Sequence, residues 1–420
     1  MSDNRATKAK QIAATKRIAK KGRNLWLVPS QSHSGQYVVE LGKDGAKKCS
    51  CPDHETRNIR CKHIIAVEIT RNHVKLADGT AVTTETVRVT YGQNWSAYNK
   101  AQTHEKQRVS DLLHELCGGI QSPERTGAGR PRLPLGDVVF GSVMKVYTTV
   151  SGRRAATDIR AARDHGLIEA APHYNSISRY LEEASLTPLL SALVLESATP
   201  LADMEHDFAV DSSGFSTSTY ARWFDHKWGR EMRKNRYLKA HLISGVKTHV
   251  VTHAIITDSS VHDSPMFKEL VEGTARRFDV KEVSADKAYL SKKNFDLVAG
   301  VGGVPYIPFK SGAGGHGGNA LWQKLWHCFQ FNREDYLKHY HKRSNAETVF
   351  SMMKAKFGGF IRSKLPVSQT NEVLCKVIAH NLCQLTQAVF EFGLEPKFWT
   401  VKEADPKSGE ASQDDLQSPS

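Results

Sequence analysis

The chain has 420 residues, with 58 Lys and Arg against 44 Asp and Glu for a net charge of +14, a length that suits two or three domains rather than one core. It contains no apolar run long enough to span a bilayer and no apolar N-terminal stretch of the signal-peptide kind, which argues against a membrane or secreted protein and for a cytoplasmic one. The basic excess favours a polyanionic partner, most commonly nucleic acid.

Residues 1–23 read as a basic arm: residues 1–25 carry eight basic side chains and one acid, a pattern shared by nucleic-acid-contacting arms and transit peptides. Residues 24–75 read as a small zinc module. In "CSCPDHETRNIRCKHIIAVEI", Cys49, Cys51, Cys61 and His63 form C-x-C-x9-C-x-H, three thiolates and an imidazole in two tight pairs, the complement of a closed tetrahedral Zn²⁺ site. Four filled positions leave none for water, so this zinc would be structural. His54 is a spare nitrogen nearby, read as a surface residue. "NLWLVPSQSHSGQYVVEL" predicts strands before the ligands, and "KHIIAVEIT" predicts a short helix after them. The other four cysteines, Cys117, Cys328, Cys375 and Cys383, stand singly and read as reduced packing residues.

Residues 76–134 read as a helical linker, with a helix in 93–118 and a Gly/Pro/Arg-rich break, "QSPERTGAGRPRLPLG". Arg130 in that break suits a DNA minor groove or a plain linker. Residues 135–198 show helical periodicity with basic side chains and predict a helical DNA-binding segment. At Leu201 the pattern changes. "HDFAVDSSGF", "RYLKAHLISG" and "VKTHVVTHAIIT" read as strands. "SPMFKELVEGT" reads as a helix with Ser264 as N-cap and Pro265 as its first residue. Then come a strand, "FDVKEVSAD", a helix, "SKKNFDLVAG", a strand, "VPYIPF", and the helix "HYHKRSNAETVFSMMK". Residues 201–395 therefore predict an α/β domain, a mixed sheet with flanking helices. The acidic, Ser-rich residues 403–420 predict a disordered tail.

Asp211 in "VDSSGF" and Asp286 in "SADKAYL" are predicted at strand ends, and Glu347 follows on a helix 61 residues later. Three carboxylates converging at a sheet edge suit two Mg²⁺ or Mn²⁺ ions and phosphodiester chemistry. In the last helix Tyr340, Arg343, Glu347 and Lys354 fall in a stripe about 60° wide, beside an apolar face of Ala346, Val349, Phe350, Met353 and Phe357. Glu347 also fits a capping box with Ser344 or an i,i+4 pair with Arg343; a helix unbroken from Tyr336 would favour a metal-facing Glu347. Residues 218–236 interleave aromatic rings with Arg222, Lys227, Arg230, Arg233, Lys234 and Arg236, suited to phosphates and unstacked bases or to a solvated hairpin. His262 and Asp263 either lie near the site or cap the helix that follows. Trp322 or Trp326, after the Gly-rich "KSGAGGHGG", either holds a flipped base or packs in the core.

Two resemblances gather these motifs. C-x-C-x9-C-x-H with its preceding strands resembles the SWIM-type zinc finger over residues 24–70, which implies a module that binds DNA or protein. Tyr340, Arg343, Glu347 and Lys354 stand in the Y-x2-R-x3-E-x6-K register of DDE-type insertion-sequence transposases. "DSSGF" and "ADKAY" resemble that family's first and second aspartate motifs, and "VHDSPMF" and "VPYIPFK" resemble the stretches that flank them. The resemblance spans about residues 205–390 and implies an RNase H-like catalytic core. Asp211 would lie on the first strand, Asp286 after the fourth and Glu347 on the following helix, together holding catalytic Mg²⁺ or Mn²⁺. Arg343 and Lys354 would meet phosphates near the scissile bond, with Tyr340 packed beside them.

The implied activity is cut-and-paste DNA transposition. The protein would bind the terminal inverted repeats of its own element on double-stranded DNA as a homodimer or larger assembly, cleave there, and join the ends to target DNA in the nucleoid. The interval between Asp286 and Glu347 leaves little room for the large β insertion of some relatives. A non-catalytic DNA-binding protein derived from such an enzyme, and a structure-selective nuclease on the same fold, share these residues.

Overall fold

The computed structural model describes residues 3–15, 18–22, 24–31, 35–42, 46–75, 81–85, 94–122, 132–217 and 237–399. The chain forms two compact units, Met1–Gln93 and Asn94–Ser420. Arg130, the basic set Arg222, Lys227, Arg230, Arg233, Lys234 and Arg236, and residues 403–420 lie outside the described residues.

The first unit is a four-stranded antiparallel sheet, β1 (Ala19–Lys20), β2 (Leu25–Pro29), β3 (Gln36–Leu41) and β4 (Lys47–Cys49), in that order. Its helices are α1 (Asp3–Thr15), α2 (Pro52–Arg57) and α3 (Lys62–Thr70), and a hairpin, β5 (Arg71–Lys75) with β6 (Ala81–Glu85), follows. Alternation in "LWLVP" places Trp26 and Val28 inward, where they meet Val39 and Leu41 of β3 and Ile64, Ala66 and Val67 of α3; period two is what a half-buried strand requires. Within the stretch read as a basic arm, α1 carries Ala9 and Ile12 one turn apart, and both are buried in this core.

The second unit opens with five helices, α4 (Trp95–Gly118), α5 (Leu135–Tyr147), α6 (Gly152–Asp164), α7 (Tyr174–Leu181) and α8 (Leu186–Ala198). Strands β7 (Asp207–Ser216), β8 (Tyr237–Gly245) and β9 (Val251–Asp258) follow, then α9 (Phe267–Ala275), β10 (Glu282–Ala285), α10 (Lys292–Gly300) and β11 (Val304–Tyr306). Helices α11 (Ala320–Phe331), α12 (Arg333–Tyr340), α13 (Ser344–Phe357) and α14 (Pro366–Phe392) complete it. The sheet runs β11-β10-β7-β8-β9, with β7, β8 and β9 antiparallel and β10 and β11 parallel to β7.

Helix α14 is the spine of this unit. It is the one described helix long and apolar enough to cross a membrane, but 83% of its apolar window is buried inside the fold, so it is a core helix. Asn381, fully buried on it, accepts from the Val251 amide at 2.8 Å and donates to the Val251 carbonyl at 2.7 Å and to Ser197 Oγ at 2.9 Å. That one amide ties α8 and β9 to α14 and satisfies buried backbone groups that would otherwise go unpaired. The helices read as a DNA-binding segment thus share one hydrophobic core with the sheet.

The tryptophans after the Gly-rich loop also pack. Trp322 is buried edge-on to Phe295 and Phe309, and its Nε1 donates to the Gly314 carbonyl at 3.0 Å, while Trp326 Nε1 donates to the Ala313 carbonyl at 2.8 Å. A Cβ on Gly318 would lie 2.4 Å from Trp322 and one on Gly315 2.7 Å from Trp326, so the glycines let the loop close onto the rings. All seven cysteines are free; Cys117, Cys375 and Cys383 are buried and Cys328 is half-buried.

Candidate active site and metal centre

In the first unit β4 ends on Cys49, Cys51 precedes α2, and Cys61 and His63 bracket the start of α3. Their ligand atoms lie within 4.8 Å of one another and all four residues are buried. His63 Nδ1 stands 3.9 Å from Cys49 Sγ and 4.0 Å from Cys61 Sγ, near the edge of about 3.6 Å that zinc–sulfur and zinc–nitrogen bond lengths imply for a tetrahedron. The Tyr37 ring packs against the imidazole with centroids 4.6 Å apart. Hydrogen bonding from Cys49, aided by His63 and opposed by burial, pulls the Cys61 thiol far below its ordinary range. Three sulfurs and an imidazole, closed off from solvent, fit Zn²⁺ with no position for water. His54 is turned away: its Nδ1 bonds the Ile59 carbonyl at 2.7 Å.

In the second unit β7 is the central strand. Asp211 is not at its end, as the sequence suggested, but in its middle: parallel pairing with β10 stops at Val210↔Ala285, while antiparallel pairing with β8 continues from Asp211↔Leu242 to Ser216↔Tyr237. Asp286 directly follows β10 and so stands next to Asp211 where the parallel β7–β10 ladder ends. A side chain every second residue faces the same way, so Asp211 and Ser213 share one face of the sheet.

The helix bearing Glu347 crosses that face. It is not unbroken from Tyr336: α12 ends at Tyr340, His341–Arg343 wind as a 3₁₀ turn, and α13 starts at Ser344. Lys342 on the turn donates to Asp207 at 2.7 Å and to Glu282 at 2.6 Å, at the starts of β7 and β10, and so pins the turn to the sheet. No capping box forms; Ser344 Oγ donates back to the His341 carbonyl at 2.9 Å. Arg343 instead spreads its guanidinium over two carboxylates, Nη1 to Asp211 Oδ2 at 3.1 Å and Nη2 to Glu347 Oε1. Tyr340 is half-buried against the core beside it. Two turns on, Lys354 Nζ donates to Ser213 Oγ at 2.6 Å and lies over the Phe215 ring.

The far end of α13 is fixed too. Gly358 turns with φ +79°, Ser216 and Phe360 form a bridge, and the buried Lys376 of α14 donates to the Gly358 and Phe360 carbonyls at 2.8 and 2.7 Å. Burial pushes the Asp211 carboxyl above the usual carboxylate range; the Ser212 amide and Arg343 pull it back, and Glu347 and Asp286 push it up again. Asp211 therefore feels the charge of both Glu347 and Asp286. Among the described residues, however, only the cysteine–histidine set draws its ligand atoms within 4.8 Å. The three carboxylates are hard oxygen donors, the donor type that Mg²⁺ or Mn²⁺ takes, ions that keep several waters and need few protein ligands.

The sequence missed several members of this site. Ser212, Ser213, Lys239, His241 and Lys342 make contacts that hold it together and Tyr289 is buried beside it; the serines, inside "VDSSGF", and Tyr289, inside "ADKAY", lay within motifs but had no signal of their own. Asp263 is no N-cap by its side chain. It instead accepts from Ser212 Oγ at 2.9 Å.

Residues 204–382 match the family model of the transposase DDE domain, and residues 37–72 match that of the SWIM zinc finger. No curated protein and no solved structure matches the chain.

Proposed function

We propose that this chain, which carries a transposase DDE domain and a SWIM zinc finger, is a DNA transposase of the cut-and-paste kind. One observation carries the reading: the Y-x2-R-x3-E-x6-K helix lies across β7 with Arg343 on Asp211 and Glu347 and with Lys354 on Ser213. The strand order, with β7 central, an antiparallel β8–β9 meander on one side and two parallel strands on the other, supports an RNase H-like core.

On this reading Asp211, Asp286 and Glu347 would hold two Mg²⁺ or Mn²⁺ ions, which supply Lewis-acid stabilisation of the attacking and leaving oxygens in strand cleavage and strand transfer. The residues around them do the rest. The Ser212 amide and Arg343 favour the ionised form of Asp211 and oppose burial, which disfavours it, and Lys354, whose own ammonium burial disfavours, offers a proton donor and positive charge to a phosphate next to β7. Arg153, Arg154, Arg160 and Arg163 stand exposed on α6 and supply charge for double-stranded DNA at the element's ends or target. The zinc module adds a second grip, on DNA or on another subunit of a homodimer or larger assembly.

The test is cleavage and joining of DNA carrying the element's own ends, in Mg²⁺ or Mn²⁺, by the parent and by Glu347→Gln. The parent nicks and joins; the variant binds the ends and does neither. Cleavage without joining would make the protein a nuclease, and binding with neither reaction in the parent would leave a DNA-binding protein.

A further inference from the structure

Behind the carboxylate face lies a second polar cluster. Ser212 points to the opposite face of β7 from Asp211 and Ser213, and its register partner on β8 is His241. Lys239, two residues before His241, faces the same way. All three converge on one atom: Asp263 Oδ1 accepts from Ser212 Oγ at 2.9 Å and from Lys239 Nζ at 2.5 Å, and lies 3.3 Å from His241 Nδ1. His241 is fully buried, and its other nitrogen pairs with Thr257 Oγ1 at 2.9 Å. Lys239 also donates to the Val261 carbonyl at 3.3 Å, so the loop that delivers Asp263 is strapped to β8. The Tyr289 hydroxyl, buried with no hydrogen-bond partner among the described residues, lies beside Ser212 in the joint field of Asp263, Asp211 and Asp286.

The cluster reaches the candidate site through one residue. Ser212 donates its hydroxyl to Asp263 on one side of the sheet and its backbone N–H to Asp211 Oδ1, at 2.9 Å, on the other. We infer that Asp263 is a positioning residue: by anchoring the Ser212 side chain it sets the peptide that orients the Asp211 carboxylate towards a divalent cation. This inference rests on the reading of Asp211 as a metal-binding carboxylate. Outer partners of this kind change metal affinity by about 10-fold to 100-fold when removed, because a carboxylate that must be reoriented pays for it in each binding event.

The experiment is Mn²⁺ titration of the full-length protein, followed by the electron paramagnetic resonance signal of free Mn²⁺, with the Mn²⁺ dependence of strand cleavage measured alongside. Variants are Asp263→Asn, Ser212→Ala, the double variant and Asp211→Asn, each checked for zinc content and thermal midpoint. Asp263→Asn and Ser212→Ala should each raise the Mn²⁺ concentration for half-saturation by about tenfold, with the double variant no worse than the weaker single. A mere loss of folded protein would lower the amount of bound Mn²⁺ without moving half-saturation. If Asp211→Asn abolishes Mn²⁺ binding while both single variants bind like the parent, the positioning role is overturned and the metal site stands. If Asp211→Asn binds Mn²⁺ as the parent does, the metal site falls and takes the inference with it. Ser212→Ala removes one hydroxyl only, so it decides the question even where Asp263→Asn fails to fold.

Discussion

Lys354 Nζ sits 2.6 Å from Ser213 Oγ, two residues along β7 from the aspartate that Arg343 engages. Arg343, on the 3₁₀ turn just before α13, and Lys354, on the helix, therefore meet the strand at the interval by which side chains repeat on one face. Eleven helical residues rise about 16 Å and two strand residues about 6.8 Å, so the two long side chains converge where the helix crosses the strand. The Lys342 anchor at one end and the Lys376 anchor at the other hold that crossing in place.

Lys354→Met should separate bracing from phosphate contact. If the ammonium meets a phosphate, affinity for the element's ends falls, the slope of log affinity against log salt becomes shallower by about 1, and single-turnover cleavage falls about 100-fold. An unchanged salt slope would reduce Lys354 to a brace for Ser213.

Arg343→Lys is not a conservative change here. The guanidinium serves Asp211 with one nitrogen and Glu347 with another, and lysine at this position lacks the planar two-pronged fork that spans them. Cleavage should drop by about 100-fold. Glu347 is 57% exposed, so loss of its arm of the bridge should by itself change stability in urea unfolding by less than about 1 kcal/mol, provided the lysine ammonium keeps the more buried Asp211 paired. A large loss of stability with normal cleavage would mean that the pair is structural.

How much of this was legible in the sequence depends on the range of the interaction. Local periodicities announced β7, β8 and β9, a helix over "SKKNFDLVAG", which forms at Lys292–Gly300, and α3 over the very residues of "KHIIAVEIT". The metal centre was equally plain, since its ligands come as two tight pairs. Lys342 was invisible because its partners Asp207 and Glu282 lie 135 and 60 residues away, and no local pattern encodes such a pairing. Around it His341–Arg343 wind as a 3₁₀ turn, and Ser344 bonds back to the His341 carbonyl instead of forming the capping box its spacing suggested. Asp211 seemed to end a strand because "SSG" reads as a turn; nine register pairs with β8, from Phe208↔Gly245 to Ser216↔Tyr237, override that local preference.

Removal of zinc should unfold the first unit in particular. Its core rests on a few side chains of β2, β3, α1 and α3, and a structural zinc contributes an apparent 10–16 kcal/mol, in order of magnitude, to folds of this size. The parent should carry one zinc per chain by atomic absorption and Cys61→Ser none. Chelation should abolish the protection from hydrogen exchange at α3 while leaving that of α14 intact. Retained protection at α3 after full removal of zinc would show that the hydrophobic core suffices.

Acid should destabilise the second unit through His380. The side chain is buried on α14 and its Nε2 donates to the His249 carbonyl at 2.9 Å. Burial is the main cause that lowers its pKa from 6.5 to about 4; the hydrogen bond opposes this, and the neighbouring His249 and Lys356 reinforce it. The folded pKa lies below the unfolded one, so between them the unfolded chain binds the extra proton and stability falls as pH falls. The contribution is fully present above pH 6.5 and is lost as pH drops through about 4, an effect on the order of 3 kcal/mol. His241 and His253, also lowered by burial, add to the same limb. His380→Gln keeps a side-chain amide to donate to the His249 carbonyl but cannot gain the proton. Its unfolding free energy, measured by urea between pH 7 and pH 4, should decline less steeply than the parent's, and parallel slopes would mean that His380 does not control the acid limb.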